Sequence, residues 1–239
     1  MSRSTESRHL GRIQGLWRYP VKSMGAEALE QVDVTWFGLA GDRRWAFVRD
    51  EATSSDFPWL TIRERPDMAL YRPSFEETGK PDQSATSVRT PSGTVMDVTD
   101  ERLSAELYPR GARLIRQNRG VFDTFPLSLI STQTIARLGK VVGAELDVMR
   151  FRPNFLVEVS DETPFAEDGW VGSVLQIGEL RMRVDKRDGR CVVITVDPLT
   201  TERNPDVLRA VAQERQGCLG VYGSVVKPGK VALNDQVNT

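Results

Sequence analysis

Cys191 is the residue whose surroundings most clearly suggest chemistry. Three cations, Lys186, Arg187 and Arg190, precede it closely in the chain. Nearby cations favour the thiolate, which is the form of cysteine that attacks electrophiles and binds soft metals. The alternative is a small buried hydrophobic side chain, which is the commonest role of a free cysteine, and position alone favours that alternative.

The segment around Cys191 is predicted to form a β-hairpin. Leu180, Met182 and Val184 alternate with charged residues, which is typical of a strand with one buried face. Asp188-Gly189 is a dipeptide typical of hairpin turns. Cys191–Val196 is mostly β-branched and apolar, which indicates a second strand that is buried on both faces and begins at the cysteine.

A second group of residues could bind an anion. The loop Tyr19–Gly25 contains Lys22 and Ser23, so an ammonium group, a hydroxyl and main-chain N–H groups could together hold a negative charge. On its own, this loop is better explained as an ordinary solvated turn. Arg43 is one of two adjacent arginines, and the one that points inward needs an anionic partner such as Asp42 or a ligand phosphate.

The sequence argues against several classes of function. The single histidine, His9, lies near the N-terminus, which disfavours Ser-His-Asp and Cys-His catalysis and rules out zinc sites built on several histidines. Cys191 and Cys218 are far apart and form no CxxC motif, so neither a disulfide framework nor an iron–sulfur cluster is expected. The usual dinucleotide and P-loop motifs, GxGxxG and GxxxxGKS/T, are missing.

The composition is that of a soluble globular protein. Of the 239 residues, 39% are hydrophobic and 27% are charged, and the net charge is −1. This charge gives no reason to expect a nucleic acid or an anionic membrane as a partner, and no apolar run approaches the length of a membrane span. The N-terminus lacks the apolar core of a secretory signal. Because the two distant cysteines make no disulfide framework, a reducing cytoplasm is the expected location.

The pattern of elements predicts a mainly β, barrel-like fold with a few short helices. Helices are predicted over 101–107 and 132–142, the second capped by Ser131 or Thr132 and ended by Gly143, and a third begins at Asn204-Pro205. Cys218 is expected to close the C-terminus of the third helix as a structural residue.

Polarity changes along the chain predict its division into domains. The segment after Gly120 has more apolar runs, so we expect a disordered tail over 1–9, a first domain over 10–120 and a second over 121–239. Within the second domain, Met149–Val159 is predicted to be a strand.

Four motifs together resemble the MOSC family, named for the C-terminal domain of molybdenum cofactor sulfurase. The resemblance is to members with a companion N-terminal β-barrel domain, as in the mitochondrial amidoxime reducing component and its bacterial relatives. It spans nearly the whole chain after the tail, and its fold is two β-barrel domains. The motifs are YPVKS at 19–23, GDRRW at 41–45, RFRPN at 150–154 and RCVVITVDP at 190–198.

The resemblance implies a molybdopterin cofactor whose molybdenum is bound by a cysteine thiolate. Cys191 matches that metal ligand, and Lys22, Ser23 and Arg43 match positions that hold the pterin phosphate. Pyridoxal phosphate binding is a further property associated with the family.

The resemblance also implies roles for other residues. Arg152 and Asn154 resemble positions that line the cofactor cavity, and Tyr222 resembles a pterin contact. Asp123 matches an acidic residue near the metal, where a carboxylate could relay protons. The family often has two threonines where this chain has Ile194-Thr195, and we expect this difference on the strand face opposite Cys191.

The leading hypothesis is a molybdenum-dependent oxidoreductase that reduces small N-hydroxylated compounds. Because this chain has no cluster cysteines and no flavin or nicotinamide motif, it would need a separate electron-donor protein, either ferredoxin-like or a flavoprotein–haem pair. One alternative is a non-catalytic protein that binds or delivers the cofactor or a sulfur group. Another is a phosphate-binding module in which Cys191 is purely structural.

Overall fold

The computed structural model describes residues 8–52 and 57–239. Within them the chain is mainly β, which confirms the predicted class. The predicted tail over 1–9 falls mostly on residues 1–7, which lie outside the described residues, and His9 begins the first strand.

The strands are β1 (His9–Arg18), β2 (Glu27–Ala28), β3 (Gln31–Thr35), β4 (Gly38–Leu39), β5 (Trp45–Arg49), β6 (Arg72–Phe75), β7 (Thr86–Arg89), β8 (Val95–Asp97), β9 (Ala112–Arg116), β10 (Leu127–Ser131), β11 (Phe155–Val159), β12 (Val174–Ile177), β13 (Leu180–Gly189), β14 (Cys218–Lys227), β15 (Gly229–Ala232) and β16 (Gln236–Asn238). The α-helices are α1 (Glu101–Leu107), α2 (Thr132–Val142) and α3 (Pro205–Arg215). Short 3₁₀ helices cover Pro66–Leu70, Val148–Arg150, Ala166–Trp170 and Val192–Thr195.

Seven strands close into a barrel. Their order is β11-β10-β14-β13-β12-β16-β1, and β1 pairs with β11 to complete the ring. The pair β10–β11 is parallel, and the other neighbours around the ring are antiparallel. Each strand contributes to the buried interior, for example through Ile13, Leu129, Phe155, Leu175, Met182, Val221 and Val237. The first strand of the chain therefore completes a barrel built otherwise from its C-terminal half.

β2 pairs with β1 outside the ring, and the other strands form three small sheets, β15-β3-β4, β5-β9 and β6-β7-β8. Apolar residues of the second and third of these sheets share a second core with α1, and this core includes Phe47, Met68, Val88 and Leu103. β15 comes from the end of the chain but pairs with β3. The two halves of the chain are consequently interlocked by β1 on one side and β15 on the other.

The predicted helix signals are confirmed. The Ser131 hydroxyl accepts the Thr134 N–H at 3.1 Å at the start of α2, and Gly143 ends the helix with a left-handed φ of 75°. Asn204 caps α3 in the same way, and Pro205 is its first residue. Both helices pack on the barrel through a third apolar cluster that includes Ile135, Leu138, Val207 and Val211.

The predicted hairpin at Asp188-Gly189 is wrong. These residues are the end of β13, which pairs there with β14, and Gly189 lies opposite Cys218. The chain then leaves the sheet, and Val192–Thr195 forms a 3₁₀ helix instead of a strand. Ile194 packs in the cluster beneath α2 and α3, so tertiary packing overrides the β propensity of this apolar run.

Two further expectations need correction. The predicted strand over Met149–Val159 is confirmed only from Phe155, because Val148–Arg150 is a 3₁₀ helix and Arg152 has a left-handed backbone. Cys218 does not close α3, because Gln216 adopts the left-handed conformation after the helix and Cys218 begins β14.

Replacing Gly143 by alanine is expected to lower the free energy of unfolding by about 1 kcal/mol, because a Cβ is strained in left-handed backbone. The strain is purely conformational, since a Cβ at Gly143 would meet no other atom within 4 Å. Gly79→Ala is the matched control, since its Cβ also meets nothing within 4 Å and its backbone is not left-handed. Urea unfolding measures both variants, and equal losses would contradict the cap assignment.

Candidate functional site

One cavity of about 210 Å³ lies where the two halves of the chain meet. It brings together all of the residues that the sequence indicated for a site. Three come from loops of the N-terminal half and the others from the barrel half: Lys22, Ser23, Arg43, Asp123, Arg152, Asn154, Cys191 and Tyr222. The anion-binding group and the cysteine, considered separately in the sequence, thus belong to a single site.

Three residues of this cavity have strained backbones. Ser23, Arg43 and Arg152 have φ values of 68°, 49° and 51°, which only glycine adopts readily. The Arg43 N–H donates to the Tyr19 carbonyl at 2.7 Å, so the surrounding structure holds this conformation. Such strain persists where other contacts over-determine it and concentrates at ligand-binding sites.

The buried carboxylate of Asp42 joins the segments that carry the site. Its Oδ1 accepts the Tyr19 N–H at 2.7 Å, and its Oδ2 accepts the Asn154 side-chain amide at 3.0 Å and the Arg43 guanidinium. Asn154 Oδ1 in turn accepts the Ser128 N–H at 3.1 Å. Asn154 therefore fixes the cavity wall through contacts with the protein itself.

Arg63 is the cation that contacts the Cys191 sulfur, with its Nη2 at 3.5 Å from Sγ. The sequence also predicted positive charge near this cysteine, but it attributed that charge to Lys186, Arg187 and Arg190. Those cations bind elsewhere: Lys186 lies over the ring of Phe125, Arg187 pairs with Asp168 and Arg190 pairs with Asp188. The half-buried thiol therefore has a cationic neighbour supplied by the N-terminal half of the chain.

Asp123 lies between two cations at the mouth of the cavity. It pairs with Lys22 and, at 3.2 Å, with Arg63 Nη2. Burial alone would raise the pKa of Asp123, but Lys22 and Arg63 outweigh burial and hold that pKa below its ordinary value. Burial also lowers the pKa of Lys22, although Asp123 opposes this. At neutral pH Asp123 is therefore an ionised carboxylate.

Arg152 has no carboxylate partner among the described residues. Its Nη1 donates to the Met24 carbonyl at 2.7 Å, and its guanidinium lies 4.3 Å from the ring centre of Tyr19. Burial, reinforced by the charge of Arg43, lowers the pKa of Arg152 to about 10. An anion bound in the cavity would stabilise the positive charge of Arg152, so Arg152 is a side chain with which an anionic ligand would interact most favourably.

Tyr222 forms the far wall of the cavity with Phe125, at a ring-centre distance of 6.1 Å and an interplanar angle of 25°. Burial and the neighbouring Asp188 raise the pKa of the Tyr222 hydroxyl above its ordinary value. Asp188 is itself buried and pairs with Arg190 Nη2 at 2.9 Å, and burial raises the pKa of its carboxyl. This wall therefore offers an aromatic face and a neutral hydroxyl.

Sequence reasoning missed two residues of this site and misplaced a third. Arg63 belongs to a segment without strand periodicity, and no sequence signal brings it to Cys191, 128 residues away. Asp188 lies in the segment that was predicted to be a hairpin turn, so the sequence did not indicate that it lines the cavity. Ile194 is predicted on the face opposite Cys191, but both line the same cavity because the chain turns in a 3₁₀ helix there.

The structure thus belongs to a class of protein in which a seven-strand β-barrel carries a thiol and a cluster of cations at its edge. The MOSC domain matches residues 116–238, and the MOSC N-terminal beta barrel domain matches residues 10–115. The chain belongs to the MOSC family, as the four sequence motifs predicted.

Relatives within this family include two kinds of protein. A molybdenum cofactor sulfurase of Caenorhabditis elegans is 25% identical over 90% of this chain and 33% of its own length. Mitochondrial amidoxime reducing component 2 of Rattus norvegicus is 23% identical over 98% of this chain and 85% of its own length. The chain thus spans about one third of the sulfurase and most of the reducing component.

A solved structure supports the fold. The YUAD protein from Bacillus subtilis aligns with a TM-score of 0.55 at 12% identity, covering 98% of this chain and 96% of that one. Across residues 8–52 and 57–239, no helix is long and apolar enough to cross a membrane. Over the same residues, no group of three or more His, Cys, Asp or Glu side chains could hold a metal ion by itself.

Removing the Asp42 carboxylate is expected to destabilise the protein strongly. Asp42→Ala leaves the Tyr19 N–H, the Asn154 amide and Arg43 without their buried partner, which typically costs about 3–5 kcal/mol. Asp33→Ala, at an exposed position of β3, should change the free energy of unfolding by less than about 0.5 kcal/mol. Urea unfolding compares the two variants, and a loss below about 1 kcal/mol for Asp42→Ala would contradict its joining role.

Proposed function

We propose that this chain binds a molybdenum cofactor in the cavity beside Cys191 and uses it to reduce N-hydroxylated compounds. The observation that carries the proposal is the charge of the cavity, which exceeds what its own carboxylates balance. Its cationic lining residues are Lys22, Arg43, Arg63, Arg150, Arg152 and Arg190, and its acidic ones are Asp123 and Asp188. Asp42 and Asp197 outside the lining pair with Arg43 and Arg150, so four carboxylates face six cations and two positive charges remain. The substrate class is taken from the likeness to amidoxime reducing components.

The residues of the cavity fit a phosphorylated pterin. Lys22, Ser23 and Arg43 offer an ammonium group, a hydroxyl and a guanidinium to a phosphate, and Arg152 adds a charge that no carboxylate pairs with among the described residues. The Tyr222–Phe125 wall offers an aromatic face to a planar ring system. The Cys191 sulfur is the soft ligand that would bind molybdenum.

When bound, the cofactor supplies a metal centre that exchanges two electrons with the substrate. Cys191 would hold that metal, and Arg63 would stabilise the negative charge of the sulfur from 3.5 Å. Arg43 would be held rigid for the phosphate by its bond to the buried Asp42. Rigid positioning of this kind lowers the entropy lost on binding.

Removal of an N-bound hydroxyl as water consumes two protons along with the two electrons. Asp123 lies at the mouth of the cavity with 42% of its side chain exposed, so it can take protons from solvent. Because its pKa lies below the ordinary value, Asp123 would relay protons and not store them. Lys22 would hold a proton beside it.

Electrons would come from a separate donor protein, either ferredoxin-like or a flavoprotein–haem pair. This expectation rests on the sequence, which contains no cluster cysteines and no flavin or nicotinamide motif. A cytoplasmic location likewise remains a prediction from cysteine usage.

The second candidate function is binding or delivery of the cofactor or of a sulfur group without turnover. The identity with molybdenum cofactor sulfurases favours it, since the same cavity would serve either role. Pyridoxal phosphate is a weaker candidate ligand. The one lysine that lines this cavity, Lys22, is ion-paired with Asp123 and is not free to form a Schiff base.

Cys191→Ala is expected to lose at least nine-tenths of the bound molybdenum while the fold is retained, because the protein ligand to the metal is removed. Cys218→Ala is the matched control and should keep the wild-type metal content, since Cys218 begins β14 outside the cavity. Elemental analysis and circular dichroism of protein from a cofactor-producing host measure both properties. Wild-type molybdenum content in Cys191→Ala would overturn the ligand assignment.

Turnover is expected with reduced viologen as donor and benzamidoxime as substrate, and none with NADPH alone. Asp123→Asn should lower kcat at least tenfold without lowering the molybdenum content, because the amide cannot relay protons. Asp33→Asn, on the exposed face of β3, is the control and should be as active as wild type.

Two outcomes would redirect this proposal. A full molybdenum site with no turnover for any donor would favour the binding and delivery function. Turnover with NADPH and no other protein would mean that the chain holds a nicotinamide or flavin site that its sequence motifs do not reveal.

A further inference from the structure

A second cavity of about 220 Å³ lies on the other side of Arg152. Ile62, Arg150, Arg152 and Val193 line both this cavity and the one beside Cys191, so the two are separated by a shared wall. We call the second one the Trp17 cavity. Nothing in the proposed function uses it.

Two guanidinium groups of the Trp17 cavity lack carboxylate partners among the described residues. Arg72 donates to the Ala69 carbonyl and, at 3.4 Å, to the Pro198 carbonyl, and Arg152 donates to the Met24 carbonyl at 2.7 Å. Both flank the Met24-Gly25 segment, since a Cβ on Gly25 would collide with Arg72 Nη1. Backbone carbonyls satisfy some of their N–H groups but leave both charges unbalanced.

Two other charged groups line the Trp17 cavity. Arg150 pairs with Asp197 at 2.5 Å and donates to the Thr195 carbonyl at 3.1 Å. Asp147 is the one carboxylate of the described lining, and its Oδ1 accepts the Met149 N–H at 2.7 Å. Arg72 and Arg152 therefore carry two positive charges against the single negative charge of Asp147, which leaves an excess of positive charge.

The rest of the lining is aromatic and apolar. Trp17 and Tyr19 offer rings, and Ile62, Val193, Val196 and Leu199 offer aliphatic surface. A cavity of about 150 Å³ is enough to hold benzene, so 220 Å³ admits one aromatic ring with a small substituent. Guanidinium groups bind carboxylates through paired N–H donors.

We propose that the Trp17 cavity is a second ligand site, which binds a small aromatic carboxylate with its ring against the apolar and aromatic lining and its carboxylate on Arg72 and Arg152. Arg152 lines both cavities, but the test of this site measures binding and not turnover, so its failure and the failure of the proposed function are distinguishable.

Benzoate is the probe, and its binding to the full chain purified from a cofactor-producing host is measured by calorimetry. Benzoate should bind at least tenfold more tightly than benzamide, which has the same shape without the charge. Arg72→Met should weaken benzoate at least tenfold. Arg89→Met is the matched control, because Arg89 is the exposed cross-strand partner of Arg72 and does not line the cavity, and it should change the affinity less than twofold.

A second variant fills the cavity without removing charge. Ala28→Phe, at an exposed position of β2 that lines the cavity, should abolish benzoate binding and leave urea unfolding unchanged. The proposal is overturned if benzoate and benzamide bind equally, if neither binds, or if Lys22→Met weakens benzoate while Arg72→Met does not. Weaker benzoate binding in cofactor-loaded protein than in protein from a host without molybdopterin is the coupling expected through Arg152, which lines both cavities, whereas no benzoate binding at all in the cofactor-loaded protein would overturn the proposal.

Discussion

The structure depends on one buried carboxylate, that of Asp42. An unpaired charge is costly inside a protein, so Asp42 is tolerated only because Tyr19, Asn154 and Arg43 donate to it together. Tyr19 follows β1, and Asn154 immediately precedes β11, so the same carboxylate links the strand that closes the barrel to the strand on which it closes. Arg43 is the third donor, and its left-handed backbone is held at the point where the cavity begins. The closure of the barrel and the wall of the cavity therefore depend on the same carboxylate.

The cationic side chains of the cavity beside Cys191 are of two kinds: those that a carboxylate of the protein pairs with, and those that are left for a ligand. Lys22 and Arg63 share Asp123, Arg190 has Asp188, and Arg150 has Asp197. Arg43 has Asp42. Arg152 alone among the cationic residues of that lining has only a carbonyl and an aromatic ring, and its lowered pKa is the cost of burying a charge in this way. A protein that needed this arginine only for stability would gain from a carboxylate nearby, and the described residues offer none.

Local signals in the sequence predicted the helices, because caps such as Ser131 and Gly143 act within one turn of chain. The site residues came largely from the family resemblance and its motifs, and no spacing rule could establish that these motifs meet in space. The error at Val192–Thr195 has a physical reason: Ile194 packs in the apolar cluster beneath α2 and α3, and this tertiary packing outweighs the β propensity of the run. Arg63 could not be predicted from the sequence, because its contact with Cys191 depends entirely on how the two halves of the chain pack.

Because Arg152 lines both cavities, ligands on its two sides would not be independent. Its guanidinium has a fixed number of N–H donors, and Met24 already takes one of them. Two anions on opposite sides would share the remaining donors and repel each other across a wall one side chain thick. Their coupling would therefore be antagonistic, and reciprocity requires that each weaken the other by the same factor. The positive charge of Arg152 would thus both bind one anion and make the affinity for a second anion depend on whether the first is bound.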